Sequence, residues 1–132
     1  MSFLLDTDTC SAYLKGNPLV FNRFMQYTGR LHMSVVTLGE LTIWVSRASA
    51  PPKRAQDLQD LLRGVATLDV TRDVARKFGE VQAGLMDAGT PAPEMDLLIA
   101  ATALVHGLTL VTHNLADYAN ILGLTVVDWL MP

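Results

Sequence analysis

The sequence predicts a single α/β domain spanning residues 1–132: a five-stranded parallel sheet flanked by helices on both faces. Three observations lead there. Short apolar runs alternate with stretches of helical spacing along the whole chain. The connections between runs are long enough to hold a crossover helix, as parallel strands require. The 132 residues, half of them hydrophobic, supply one sizeable core and leave no room for a second.

Phe3-Leu4-Leu5 is the first strand, stopped by the polar turn Asp6-Thr7-Asp8-Thr9. A short helix over Ser11 to Leu14 is ended by Gly16-Asn17-Pro18, and Leu19 to Tyr27 has helical spacing. Leu31 to Val36 reads as the second strand. Thr37-Leu38-Gly39-Glu40 has the capping-box form, so a helix is expected from there to about Ala48. Pro51-Pro52 breaks the chain, and Pro52 fits the first turn of a helix reaching Leu62. Ala66 to Val70 is the third strand. Thr71 caps an amphipathic helix through Met86, with Val74, Phe78, Val81 and Leu85 on one face. After the loop Gly89 to Pro93, a helix opens at Glu94 or Met95. It is apolar nearly all round, hence buried, and Gly107 ends it. Leu108 to Thr112 is the fourth strand, Ala116 to Ile121 a short helix, and Leu124 to Asp128 the fifth strand.

Composition narrows the function. Ten basic against thirteen acidic residues give a net charge of −3, so the chain is no basic nucleic-acid coat. An anionic substrate must be held by a local patch or by a metal. Arg72, Arg76, Lys77, Lys53 and Arg54 are basic residues able to track a nucleic-acid backbone. Cys10 is the single cysteine, so no intrachain disulfide forms and a reducing, cytoplasmic location is expected. No secretory signal is seen, and no apolar stretch reaches the ~20 residues of a membrane span. The apolar excess leaves material for a partner-facing surface.

In parallel α/β sheets the site lies beyond the carboxyl ends of the strands. Asp6 closes the first strand, and Glu40 lies early in the helix after the second. Asp96 lies in the first turn of the buried helix, and Thr112, Asn114 and Asp117 follow the fourth strand. Asp8 is read as a cap or as support for the others. Clustered carboxylates repel one another and need a compensating cation. With oxygen ligands only, that cation is Mg²⁺ or Mn²⁺, which suits hydrolysis of phosphate esters by activated water. Each acid also has a purely structural role open to it: Asp6 as a turn initiator, Glu40 as the capping partner of Thr37, and Asp96 as a dipole-complementing acid. His32, His106 and His113 show no ligand spacing, Trp44 and Trp129 read as packing residues, and Asp128 as a surface or cap residue.

Taken in order, Leu4-Leu5-Asp6-Thr7-Asp8-Thr9, Ser34 to Leu41, Asp96-Leu97-Leu98-Ile99-Ala100-Ala101 and Leu110 to Asn114 with Asp117-Tyr118 resemble the PIN-domain ribonucleases. Within them, the chain is similar to the VapC toxins of bacterial toxin–antitoxin pairs, down to the closing Val126-Val127-Asp128-Trp129. The resemblance implies a Mg²⁺- or Mn²⁺-dependent endoribonuclease that forms homodimers. It also implies inhibition by a small VapB-type antitoxin lying across the active-site groove, with DNA reached only through that antitoxin. Asp6, Glu40 and Asp96 match the family's core acids and are the expected catalytic and metal-holding residues. Asp8, Thr112, Asn114 and Asp117 are expected around them or at a second metal. Asn114 departs from the pattern, since many relatives carry Asp there; its amide can still orient a water.

Two rival readings are open. Asp6-Thr7-Asp8-Thr9 also resembles the motif of haloacid-dehalogenase-type phosphatases, with Asp6 as nucleophile. That chemistry needs a late lysine, and the last lysine here is Lys77. The other rival is a PIN fold kept as a non-catalytic binding module.

Overall fold

Apolar side chains three in a row make a strand buried on both faces, and Phe3–Leu5 is that strand, β1, at the centre of the sheet. The computed structural model describes all of residues 1–132. In chain order there follow α1 (Thr7–Leu14), α2 (Pro18–Gln26), β2 (Leu31–Ser34), α3 (Val35–Ser46), α4 (Pro52–Gly64), β3 (Ala66–Leu68), α5 (Arg72–Asp87), α6 (Glu94–His106), β4 (Thr109–Val111), α7 (Leu115–Tyr118) and β5 (Val126–Val127). The five strands are all parallel in the order β3-β2-β1-β4-β5.

The alternation of side chains along β1 divides the core. Phe3 and Leu5 join Met33, Val111 and residues of α1 to α4 on one face. Leu4 joins Leu110 and residues of α5, α6 and α7 on the other. The expected two-faced arrangement is therefore present. Its closing piece is Trp129, whose ring lies 5.0 Å from Phe3 and stacks on Tyr27 at 5.7 Å. Trp129 is a packing residue, as expected.

The structure corrects several boundaries. The supposed turn after β1 is the start of α1: Asp6 is its N-cap, and Asp6 Oδ1 accepts from the Thr9 amide at 2.8 Å. The second strand ends at Ser34 rather than Val36. The Ser34 hydroxyl accepts from the Val36 amide at 3.0 Å and starts α3 one turn before Thr37. The Thr37–Glu40 capping box is therefore absent. Both Ser34 and Thr37 could cap by local chemistry; strand pairing that reaches Ser34↔Leu68 decides between them. The third, fourth and fifth strands are shorter than expected, and α7 ends at Tyr118. The expected caps of the later helices are present: Thr71 accepts from the Val74 amide at 3.2 Å, and Gly107 ends α6 at φ 65°, a left-handed conformation that favours glycine.

Candidate active site

The strand order places the topological switch between β1 and β4, because successive connections run to opposite sides of the sheet there. Asp6 leaves the end of β1 with its amide bonded to Val111 O at 3.0 Å. Its neighbour across the switch is Thr112, just past β4, whose amide donates to Val127 O at 2.9 Å. Asp6 is 4% exposed. Burial raises its pKa above the ordinary aspartate value and Asp8 adds to the rise, while hydrogen bonds from Thr112 and Thr9 pull the other way. Capping α1 engages one carboxylate oxygen and does not exhaust the acceptor capacity of the group. The structural and the chemical role of Asp6 coexist.

Asp96 is the third residue of α6, which enters behind Pro93 with no side-chain cap. The next residue, Leu97, is fully buried, and the helix carries the chain back to feed β4. Asp96 is half-buried at the helix N-terminus, where the backbone dipole favours its negative charge. Desolvation raises its pKa first; then come the charges of Asp117, Glu40, Asp6 and Asp8, in that order. Asp96 is thus the point where the fields of these acids overlap. Beneath them the phenol of Tyr118 is buried, and burial together with Asp96, Asp6 and Asp117 holds it protonated well above the usual range.

Glu40 is exposed on the second turn of α3. In place of a capping contact, Glu40 Oε1 accepts from the Thr7 hydroxyl at 2.6 Å, and Thr7 Oγ1 is 3.1 Å from the buried Thr37 Oγ1. A hydroxyl has one proton to give. Thr7 donates it to the carboxylate and receives from Thr37. The sequence reading missed Thr7, which ties α1 to α3; its only signal was its place beside Asp6. On the opposite side, Asn114 Nδ2 donates to Asp8 Oδ2 at 3.0 Å, and the Asn114 amide donates to Thr112 Oγ1 at 3.0 Å. Asp8 and Asn114 thus support one another, a contact that their positions in the sequence do not reveal.

The structure therefore brings Asp6, Asp8, Glu40, Asp96 and Asp117 to one edge, with Thr112 and Asn114 beside them. No three of the acidic side chains close into a cage of ligands. An open, oxygen-only donor set with excess negative charge is what Mg²⁺ or Mn²⁺ takes, since such ions retain several waters and use few carboxylates. The oxygen-only chemistry suits that ion, while no three side chains are gathered closely enough here to ligate it together.

Of the basic residues considered for a nucleic-acid backbone, Lys53 pairs with Asp57 at 3.6 Å and Lys77 with Glu80 at 3.9 Å. Arg54 lies over the Trp44 ring, 4.9 Å from its centroid, and donates to Trp44 O at 3.3 Å. Asp128 is not a surface residue. Its side chain is 9% exposed, it lies 2.9 Å from His113 Nδ1, and its other oxygen accepts from the Leu130 amide at 2.8 Å. No helix is long and apolar enough to cross a membrane.

The PIN-domain family model matches residues 3–120. The chain is 32% identical over 130 residues to the tRNA(fMet)-specific endonuclease VapC of Salmonella typhimurium, covering 98% of both chains. It is 30% identical over 130 residues to Ribonuclease VapC2 of Haemophilus influenzae, again covering 98% of both. Among solved structures, DNA-bound VapBC from Salmonella typhimurium superposes with a TM-score of 0.91 at 32% identity, covering 98% of both chains. VapBC2 from Rickettsia felis, bound to a promoter DNA fragment, gives 0.90 at 25% identity, covering 98% of this chain and 99% of that one.

Proposed function

This chain belongs to the PIN-domain family, and from that premise we propose that it is a VapC-type toxin: an endoribonuclease that hydrolyses RNA phosphodiester bonds with the help of Mg²⁺ or Mn²⁺. We read residues 1–132 as one such domain, acting as a homodimer in the cytoplasm. The observation that carries the reading is the carboxylate edge at the switch of the sheet: Asp6 at the end of β1, Asp8 braced by Asn114 past β4, and Asp96 in the first turn of α6. A carboxylate edge and an RNA backbone repel one another, and a cation held at the edge would offset that repulsion where the cleaved bond lies.

In this reading Asp6, Glu40 and Asp96 would hold the ion, which when bound would offset the gathered negative charge and supply an activated water for attack on phosphorus. The chain's own residues prepare the place. Thr9 and Thr112 keep Asp6 oriented; Thr7 holds the Glu40 carboxylate in one rotamer; the first turn of α6 presents Asp96 in a favourable backbone field. Asp8, braced by Asn114, and Asp117 complete the edge and orient waters. Tyr118, buried in the apolar core and kept protonated, adds no further charge to the edge. A phosphatase using Asp6 as nucleophile lacks its lysine, since Lys77 lies on α5 and pairs with Glu80.

The solved relatives are VapBC complexes, and by analogy the partner here is a VapB-type antitoxin, through which alone the pair would meet DNA. The test is cleavage of mixed RNA against hydrolysis of p-nitrophenyl phosphate, with and without divalent cation. RNA cleavage lost in EDTA and restored by Mg²⁺ or Mn²⁺ is expected. Cleavage undiminished in excess EDTA, in protein freed of contaminating nuclease, overturns the role of the metal.

A further inference from the structure

We propose that the cleft alongside α1 holds the RNA strand next to the cleaved bond, with Lys15 contacting a phosphate and His113 Nε2 accepting from a ribose 2′-hydroxyl. The inference rests on the ribonuclease reading above and assigns residues outside its acid edge.

The cleft has a volume of about 660 Å³ and mixes apolar surface with the polar side chains of Asp8, Ser11, Lys15, Asn17 and His113. It meets the acid edge at Asp8, which Asn114 braces. A second, smaller cavity of about 90 Å³ is lined by Thr7, Glu40 and Trp44, and it shares Ser11 and Lys15 with the first. Ser11 and Lys15 stand one helical turn apart on one face. Lys15 is thus the ridge between the two cavities and the only lysine or arginine lining either. It makes no ion pair, and it shares one cavity with Asp8 and the other with Glu40. Between those acids, a free ammonium is the group that would admit a phosphate backbone.

His113 is built in rather than loosely exposed. It follows Thr112 directly, and Asp128 holds its Nδ1 at 2.9 Å. Asp128 is itself fixed through the Leu130 amide, and the buried Trp129 between them anchors the segment in the core. In the neutral ring Nδ1–H donates to Asp128 Oδ2, so Nε2 is presented as an acceptor. Nε2 has no partner in the protein, and half of the side chain is exposed along the cleft. Phosphate and most sugar oxygens cannot donate to it; the 2′-hydroxyl can, and DNA lacks that group.

The test is binding of a labelled mixed-sequence RNA oligonucleotide and its DNA counterpart in EDTA, where no cleavage occurs. Wild type should prefer RNA. His113→Ala should lower RNA affinity by about fivefold while leaving DNA affinity unchanged, and His113→Gln, which restores an acceptor, should recover part of the loss. Asp128→Asn should act in the same direction as His113→Ala and add little to it. Lys15→Ala should weaken RNA and DNA alike and reduce the salt slope by about one, with Lys15→Arg restoring both. With cation present, the His113 and Lys15 losses should fall on KM rather than kcat. Equal effects of His113→Ala on RNA and DNA, or none, overturn the 2′-hydroxyl contact; an unchanged salt slope in Lys15→Ala overturns the phosphate contact. If both variants keep their nucleic-acid affinities and instead release a copurifying small protein, the cleft belongs to that partner and the proposal fails. Wild type that cleaves RNA while its variants behave as wild type sinks this inference alone; wild type that cleaves no RNA sinks the ribonuclease reading.

Discussion

At the scale of single residues, charge and hydrogen bonding can be separated by amide substitution. Asp6→Asn keeps an oxygen to accept from the Thr9 amide and removes a buried charge. Its stability without cation should equal or exceed that of wild type, while RNA cleavage falls at least tenfold, the equivalent of about 1.4 kcal/mol in the barrier. Asp6→Ala should in addition lose about 1 kcal/mol with the cap, read from urea unfolding. Glu40→Gln keeps the bond from Thr7 and should lose cleavage to a similar extent. Because Glu40 closes no capping box, Glu40→Ala should cost stability only within about 0.5 kcal/mol. Wild-type cleavage by Glu40→Gln would return the site to Asp6 and Asp96 alone. The raised pKa values of Asp6 and Asp96 also set a pH dependence. The folded chain holds these protons where the unfolded chain has lost them, so the contribution of these two groups to stability without cation is most favourable at low pH and falls as pH rises above the ordinary value of 3.8. A bound divalent cation favours the ionised forms and should offset that fall. The stabilisation by Mg²⁺ should therefore grow as pH rises above about 4 in urea titrations. A Mg²⁺ effect independent of pH would separate the ion from these carboxylates.

At the scale of elements, the edge depends on where helices begin. Ser34 ends β2 and starts α3, and its hydroxyl accepts from the Val36 amide. Ser34→Ala should cost about 1 kcal/mol and lower Tm by roughly 3–5 °C. Thr37→Ala should leave the start of α3 intact and act instead through Thr7 on Glu40. If Thr37→Ala frays the helix and Ser34→Ala does not, as helical content would show, the capping order is reversed. The segment after β5 is pinned by Trp129 in the Phe3, Phe24 and Tyr27 cluster. Trp129→Ala should destabilise by about 3–5 kcal/mol. It should also loosen Asp128 and with it the fixed orientation of His113.

At the scale of the whole molecule, a cation taken up at the acid edge should stabilise the fold by linkage, and exposed apolar side chains offer a surface to a partner. A free cation concentration of about 100 times Kd should add about 2.7 kcal/mol to unfolding. Apolar side chains such as Phe21, Met25 and Leu122 remain exposed. Expressed alone, the protein should arrest growth, and Asp6→Asn or Asp96→Asn should relieve the arrest at equal folded yield. Harmless wild type at confirmed folded expression, with no small protein copurifying, would overturn the toxin reading for this chain.

The layer architecture was legible in residues 1–132 because periodicity and its interruption are local. Phe3–Leu5, the even apolarity of Leu97–Ala103 and Gly107 each declare their burial or their turn without knowledge of a neighbour. The same locality exposed Asp6, Glu40 and Asp96 as acids set against apolar segments. Tertiary structure alone decided what those acids touch. The order β3-β2-β1-β4-β5 sets Asp6 beside Thr112, although the two are far apart in the chain. Asn114 and Asp8, 106 positions apart, meet by the same pairing, and Thr7 reaches Glu40 only because α1 packs on α3. Ser34 prevailed over Thr37 as the cap because strand pairing, a long-range hydrogen-bonding constraint, fixes where β2 stops. Local chemistry offers each polar side chain several partners; the free energy of packing the whole sheet selects one of them.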